Sequence, residues 1–155
     1  MSTITSTGTT PDLVDVRGPR FAAWVTTVVL IAVLLASAVS PLGATVILAV
    51  QAVVFALGAW RGPQQHPYGA IFRTVVAARL GPVTEKEPAA PLKFAQLVGF
   101  VFAVVGVLGF TAGIPLLGQI ATGFALVAAF LNAAFGICLG CQLYPLVARF
   151  RKNPT

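Results

Sequence analysis

Long stretches without a single charge decide what this chain can become. Phe21 to Ser40, Leu42 to Trp60, Phe94 to Ile114 and Gln119 to Ala148 contain no Asp, Glu, Lys or Arg. A backbone crossing hydrocarbon must satisfy its own N–H and C=O groups, and a helix of about 20 apolar residues spans the ~30 Å core while doing so. The first three stretches have about that length. The fourth, residues 119–148, is longer than one untilted crossing needs and must tilt, break or protrude. At 57% apolar and 9% charged, far below the roughly 25% charge of soluble proteins, the chain cannot clothe a water-facing surface. The expected fold is therefore an all-α membrane protein of four transmembrane helices arranged as two hairpins. The helices form one domain over residues 17–155, with spans at about 21–40, 42–60, 94–114 and 119–148.

The residues between the spans support this division. Residues 1–16 are rich in Ser and Thr and carry Asp12 and Asp15, which predicts a disordered polar tail. Pro19 suits the first turn of a helix, whose N–H groups have no intrahelical partner to lose. A cleaved signal peptide is the rival for the first span, because Arg17 and Arg20 precede it and Ala36-Ser-Ala38 resembles a cleavage site. The immediate start of a second span disfavours it. Pro41 and Gly43 make a tight turn, Trp60 suits an interface, and Gln51 is the amide that breaks the second span and is expected to pack against a neighbour. Gly99, Gly106, Gly109 and Gly113 give the third span a small-residue surface for close helix contact.

The connection over residues 61–93 holds five of the ten basic residues, both glutamates and the sole histidine, His66. Within it Ile71, Phe72, Val75, Val76 and Leu80 fall on one face of a short amphipathic helix, expected to lie in the headgroup layer. All ten Lys and Arg occur in the N-terminal segment, this connection or the C-terminal residues 149–152. The positive-inside rule then places both termini and residues 61–93 in the cytoplasm and the chain in the inner (plasma) membrane. The net charge of +6 is accounted for by topology and needs no nucleic acid. Arg20-Phe-Ala22 answers Lys93-Phe-Ala95, and Pro41-Leu-Gly43 answers Pro115-Leu-Leu-Gly118, as a parallel repeat of two hairpins would require.

Chemistry is concentrated in one place. Cys138 and Cys141 are the only cysteines. Three residues apart on a continuous helix they share a face at roughly 5 Å, within disulfide range. Counting 1.5 Å per residue from Leu116 puts Cys138 about 33 Å along the fourth helix, near the cytoplasmic boundary. One thiolate of such a pair can attack and the other resolve, provided the attacking thiolate is stabilised. The end of a long helix opposes that charge, so activation requires a break near Gly136 or nearby cations such as Arg149 and Arg151. The competing assignment is a pair of small buried residues kept reduced by the cytoplasm. Gly136 and Gly140 either admit another helix or loosen the backbone. Asn132 either packs or orients a thiol, and Tyr144 suits an interface anchor. Two thiols and His66 fall short of a closed tetrahedral metal site. His66 is expected to be solvated or capping, and no cofactor is expected.

At Val14-Asp-Val-Arg-Gly-Pro-Arg-Phe21, His66-Pro-Tyr-Gly69, Lys93-Phe-Ala-Gln96 and Leu131-Asn-Ala-Ala-Phe-Gly-Ile-Cys-Leu-Gly-Cys-Gln-Leu-Tyr144 the chain resembles a family of small bacterial four-helix membrane proteins, domain of unknown function four-three-nine-five. The resemblance implies a membrane architecture with an unassigned function. It also suggests thioredoxin-like or rhodanese-like partners, and so a dithiol or persulfide relay through Cys138 and Cys141. A non-enzymatic scaffold or assembly subunit with structural cysteines is the alternative, and small-molecule transport ranks behind both.

Overall fold

The computed structural model describes residues 13–62, 65–82 and 85–152. Helices α1 (Arg17–Val39), α2 (Pro41–Arg61), α4 (Ala89–Thr111) and α5 (Pro115–Phe135) are long and apolar enough to cross a membrane. Short α3 (Pro67–Ile71) continues through a π-helical turn (Phe72–Val76) and a 3₁₀ turn (Ala77–Arg79), and α6 (Leu139–Lys152) ends the described chain. Ser40 alone separates α1 from α2, and its hydroxyl accepts from Gly43 N–H at 3.1 Å, capping α2 where Pro41 stands in the first turn.

The four long helices close a ring in which α1 touches α2 and α5, and α4 touches α2 and α5. Leu30, Val33, Leu48, Phe55, Ala103 and Phe110 are buried at its centre. Val28, Leu35, Leu42 and Val53 stand on the outside, each more than half exposed, as lipid-facing residues do. Lipid is as apolar as leucine, so association in a bilayer depends on close fit rather than on expelling water. Small residues provide that fit. A Cβ built on Gly109 would lie 2.6 Å from the backbone nitrogen of Gly118, one on Gly106 2.6 Å from Leu48 Cδ2, and one on Gly99 2.9 Å from Phe55 Cε1. The expected small-residue face of the third span is thus in use at three positions. Gly113 differs: with φ +77° and nothing within 4 Å of a built Cβ, it belongs to the turn after α4.

Two local expectations change, and a third alternative is decided. The polar segment expected to be disordered lies mostly outside the described residues, but its last part is ordered. Leu13–Asp15 form strand β1, antiparallel to β2 (Lys86–Pro88) with Val14 opposite Glu87. Asp15 accepts from Arg17 at 2.9 Å, and that contact holds its carboxyl below the usual range. Distant segments supply these ladder bonds, which local polarity does not reveal. Secondly, the helix expected over Ala70–Leu80 starts earlier, at Pro67, and of its apolar face only Phe72 is buried, against Phe21. Residues 119–148, which had to tilt, break or protrude, break: α5 ends at Phe135 and α6 begins at Leu139.

Candidate functional site

The break in the fourth helical stretch is built from a glycine. At Gly136 the backbone enters the left-handed region, φ 70° and ψ 16°, a conformation that costs a side-chain-bearing residue roughly 1–2 kcal/mol. Its N–H donates to Asn132 C=O at 3.1 Å and the N–H of Ile137 to Leu131 C=O at 3.2 Å, so the last carbonyls of α5 are satisfied as the chain turns away. Cys138 then opens α6. Its carbonyl accepts the first helical bond, from Gln142 N–H at 3.1 Å, and its Sγ accepts from Cys141 N–H at 3.1 Å. The sulfur occupies the place that a serine or aspartate oxygen takes in an N-cap.

This corrects the electrostatics expected of one continuous helix. There the cysteines would follow some 33 Å of helix and meet its negative end. Here Cys138 lies at the positive end of a new helix, its sulfur accepting the Cys141 N–H, where a thiolate is favoured. Cys138 and Cys141 are joined as a disulfide with Cα atoms 5.1 Å apart. Of the cations considered, Arg149 and Arg151 are exposed on α6, whereas Arg20 on α1 approaches the break, its guanidinium carbon 3.9 Å from a Cβ built on Gly136.

Helix α6 is held against the start of α4. A Cβ on Gly140 would meet Ala95 Cα at 2.6 Å, and the Tyr144 ring packs at a tilt against Phe94 with ring centres 6.0 Å apart, where an interface anchor was expected. The two glycines of the motif therefore divide the roles anticipated for them: Gly136 releases the backbone and Gly140 admits a neighbouring helix. Pro145 is accommodated inside α6.

Beside Cys138 lies a cavity of about 300 Å³ lined by residues of α1, α4, α5 and α6, with Phe55 of α2 and with His66 and Gly69 before and in α3. Its walls are mostly alanine, valine, leucine and phenylalanine, with Thr26, His66, Gln96, Asn132 and Cys138 as the groups able to bond or react. His66 was expected to be solvated or capping. It caps, its Nδ1 accepting from Tyr68 N–H at 3.2 Å, but it is only 2% exposed. With Nδ1 as acceptor, the neutral ring carries its proton on Nε2. That donor and the Gln96 Oε1 acceptor are both buried without a hydrogen-bond partner. Nearby, Tyr68 O–H donates to Gln51 Oε1 at 2.8 Å, so the amide expected to pack is buried and half satisfied. Among the described residues no three His, Cys, Asp or Glu side chains converge as a metal would require.

Burial lowers the His66 pKa to about 4, an effect the Gln96 side chain only partly opposes. The folded state binds this proton less readily than the unfolded chain, whose imidazole titrates near 6.5. Stability is therefore independent of this group above pH 6.5, falls as the pH drops toward 4, and levels off below. The total loss is at most about 3–4 kcal/mol, from ~1.4 kcal/mol per pH unit. Thermal unfolding of the detergent-solubilised protein across pH 4–7 measures it. His66→Asn, which keeps an N-cap acceptor and removes the titration, should flatten the slope.

The structure thus brings His66, Asn132 and Cys138 to one cavity with Gly140 in its wall, while Gly136 and Cys141 lie beside Cys138 without lining it. Sequence reasoning passed over Gln96 and Arg20. The signal for Gln96 was present, since an amide inside an apolar run asks for a partner; the side chain it lies beside is a histidine in a loop, which no helical spacing reveals. Residues 14–149 match the family model described as Domain of unknown function (DUF4395), the family that the motifs resemble. No curated protein and no solved structure matches the chain.

Proposed function

Because the chain belongs to the family described as Domain of unknown function (DUF4395), whose description assigns no chemistry, we propose a function from the site itself: a membrane-embedded dithiol that exchanges electrons or sulfane sulfur with a soluble thioredoxin-like or rhodanese-like protein. The observation that carries this is the N-cap position of Cys138, whose sulfur receives the Cys141 N–H. In the reduced form Cys138 attacks the partner's disulfide as a thiolate. The partner's S–S bond breaks and a mixed disulfide forms. Cys141 then attacks Cys138 Sγ, closing the intramolecular disulfide and releasing the partner as a dithiol. With a persulfide donor, the thiolate attacks the outer sulfur, the donor's S–S bond breaks, Cys138 becomes the persulfide and the donor leaves as its thiolate.

The topology in this proposal is two hairpins with both termini and residues 61–93 on the cytoplasmic side of the inner (plasma) membrane, and residues 67–79 in the headgroup layer. Supporting it, Arg17, Arg20, Arg61 and Lys93 belong to the helix ends nearest His66 and Gly136, while the turns at Ser40 and Ala112–Ile114 carry no charge. Trapping tests the reaction. Cys141→Ser, which leaves the attacking thiol without a resolver, should accumulate a mixed disulfide or persulfide in cells, and Cys138→Ser should not. Capture by neither variant overturns the proposal.

A second function, a non-enzymatic scaffold, is favoured by the backbone-level approach of Gly109 to Gly118, which makes a rigid bundle. It requires both cysteines to be dispensable. Loss of function in a double Cys→Ser strain at unchanged protein level would exclude it.

A further inference from the structure

A dithiol that passes electrons needs a second reactant, and the cavity beside Cys138 has the chemistry of one. We propose that it binds a quinone-class two-electron carrier dissolved in the bilayer, which oxidises the Cys138–Cys141 dithiol. This rests on the dithiol function proposed above, with the exchange running in reverse: a reduced partner's thiolate attacks the Cys138–Cys141 disulfide, its second thiol resolves the mixed disulfide so that the partner leaves oxidised, and the quinone accepts the two electrons so delivered.

Three features select this ligand class. The volume of about 300 Å³ lies at the small end of the range for organic ligands, roughly 300–1,000 Å³, enough for a ring headgroup. The apolar walls lie among helices that lipid surrounds, so the ligand must partition into the bilayer. The third feature is the polar pair. His66 Nε2–H is a buried donor without a partner and Gln96 Oε1 a buried acceptor without one. A lipid acyl chain would leave both unmet, at a cost of about 1–3 kcal/mol for each. A quinone carbonyl accepts from the histidine, and the hydroxyl that replaces it on reduction donates to the amide. The site therefore has a bond to offer each redox state. Neutral His66 makes the first contact without gaining or losing a proton.

The step balances. Two S–H bonds break and one S–S bond forms, releasing two electrons and two protons. The quinone takes up both, its two C=O groups becoming C–OH, and leaves as the quinol. No second cysteine pair on the far side of the membrane is required, because the electrons depart within the lipid phase. Cys138, whose residue lines the cavity, meets the ring, and Cys141 completes the disulfide.

The full chain in nanodiscs, reduced with dithiothreitol and desalted, is mixed with a short-tailed benzoquinone or, separately, a short-tailed naphthoquinone. Quinol formation and thiol loss are followed together. The expected result is saturable oxidation of two thiols per quinol, faster than for the same protein denatured in detergent. His66→Phe and, independently, Gln96→Leu should each raise the half-saturating quinone concentration about tenfold, as the loss of one buried hydrogen bond implies. Thiol exchange with a soluble thioredoxin is measured on every sample. Exchange without saturable quinone reduction, or with quinone reduction indifferent to both substitutions, overturns the quinone site and leaves the dithiol function standing. Failure of exchange as well overturns both.

Discussion

Gly136→Val should cost this protein both its helix break and most of its thiol reactivity. Valine in the left-handed region pays at least the roughly 1–2 kcal/mol of an L residue, more for its branched Cβ. The chain can relieve that strain by letting α5 run on into residues 137–139. Cys138 would then leave the helix start for a helix interior, losing the Cys141 N–H and the favourable end of the dipole. The expected outcome is about a tenfold fall in the alkylation rate of reduced Cys138, equivalent to ~1.4 kcal/mol of thiolate stabilisation. Gly136→Asn is the control, because asparagine tolerates the left-handed region and ends helices there. It should retain most of the rate. Mass spectrometry of timed alkylation reads both variants, and equal rates in valine, asparagine and native protein would mean that the break does not activate the thiol.

The second large effect is structural. Gly109→Leu places a Cβ 2.6 Å from Gly118 N and 3.1 Å from the Leu117 carbonyl carbon, and a backbone cannot rotate aside as a side chain can. Helices α4 and α5 must separate, and Phe110, buried at the same contact, loses its setting. Overpacking of this kind costs about 1–3 kcal/mol where side chains yield, so about 3 kcal/mol or more is expected here. Nothing lies within 4 Å of a Cβ built on Gly123, and Gly123→Leu on the neighbouring helix should be close to neutral. Unfolding in mixed detergent micelles compares the two. If both substitutions cost the same, close approach of the glycines is not what holds the bundle together.

These two glycines show where local sequence ceases to be informative. Gly109 was expected to serve close packing and does so, because small residues in a lipid-solvated helix have few other uses. Gly113, in the same row, looked identical and instead turns the chain. At residues 136 and 140 the glycines of the cysteine motif were assigned one of two roles each, and the structure takes one of each kind. The cysteine spacing already allowed a disulfide. What it could not indicate was polarity, since the sign of the dipole at Cys138 depends on whether the helix begins or ends there.

Absence of charge over four long stretches determined by itself that four helices here can cross a membrane, because a bilayer offers the backbone no partners and tolerates few ions. The order of the basic residues likewise gathers the charged connections at one end. Tertiary structure alone decided that Leu13–Asp15 pair with Lys86–Pro88, that a loop histidine is buried against an amide of α4, and that both reach the cavity beside Cys138. Those contacts join residues tens of positions apart. They follow from how helices fit one another, and hydrophobic periodicity, which reports only on neighbours within a few turns, carries no trace of them.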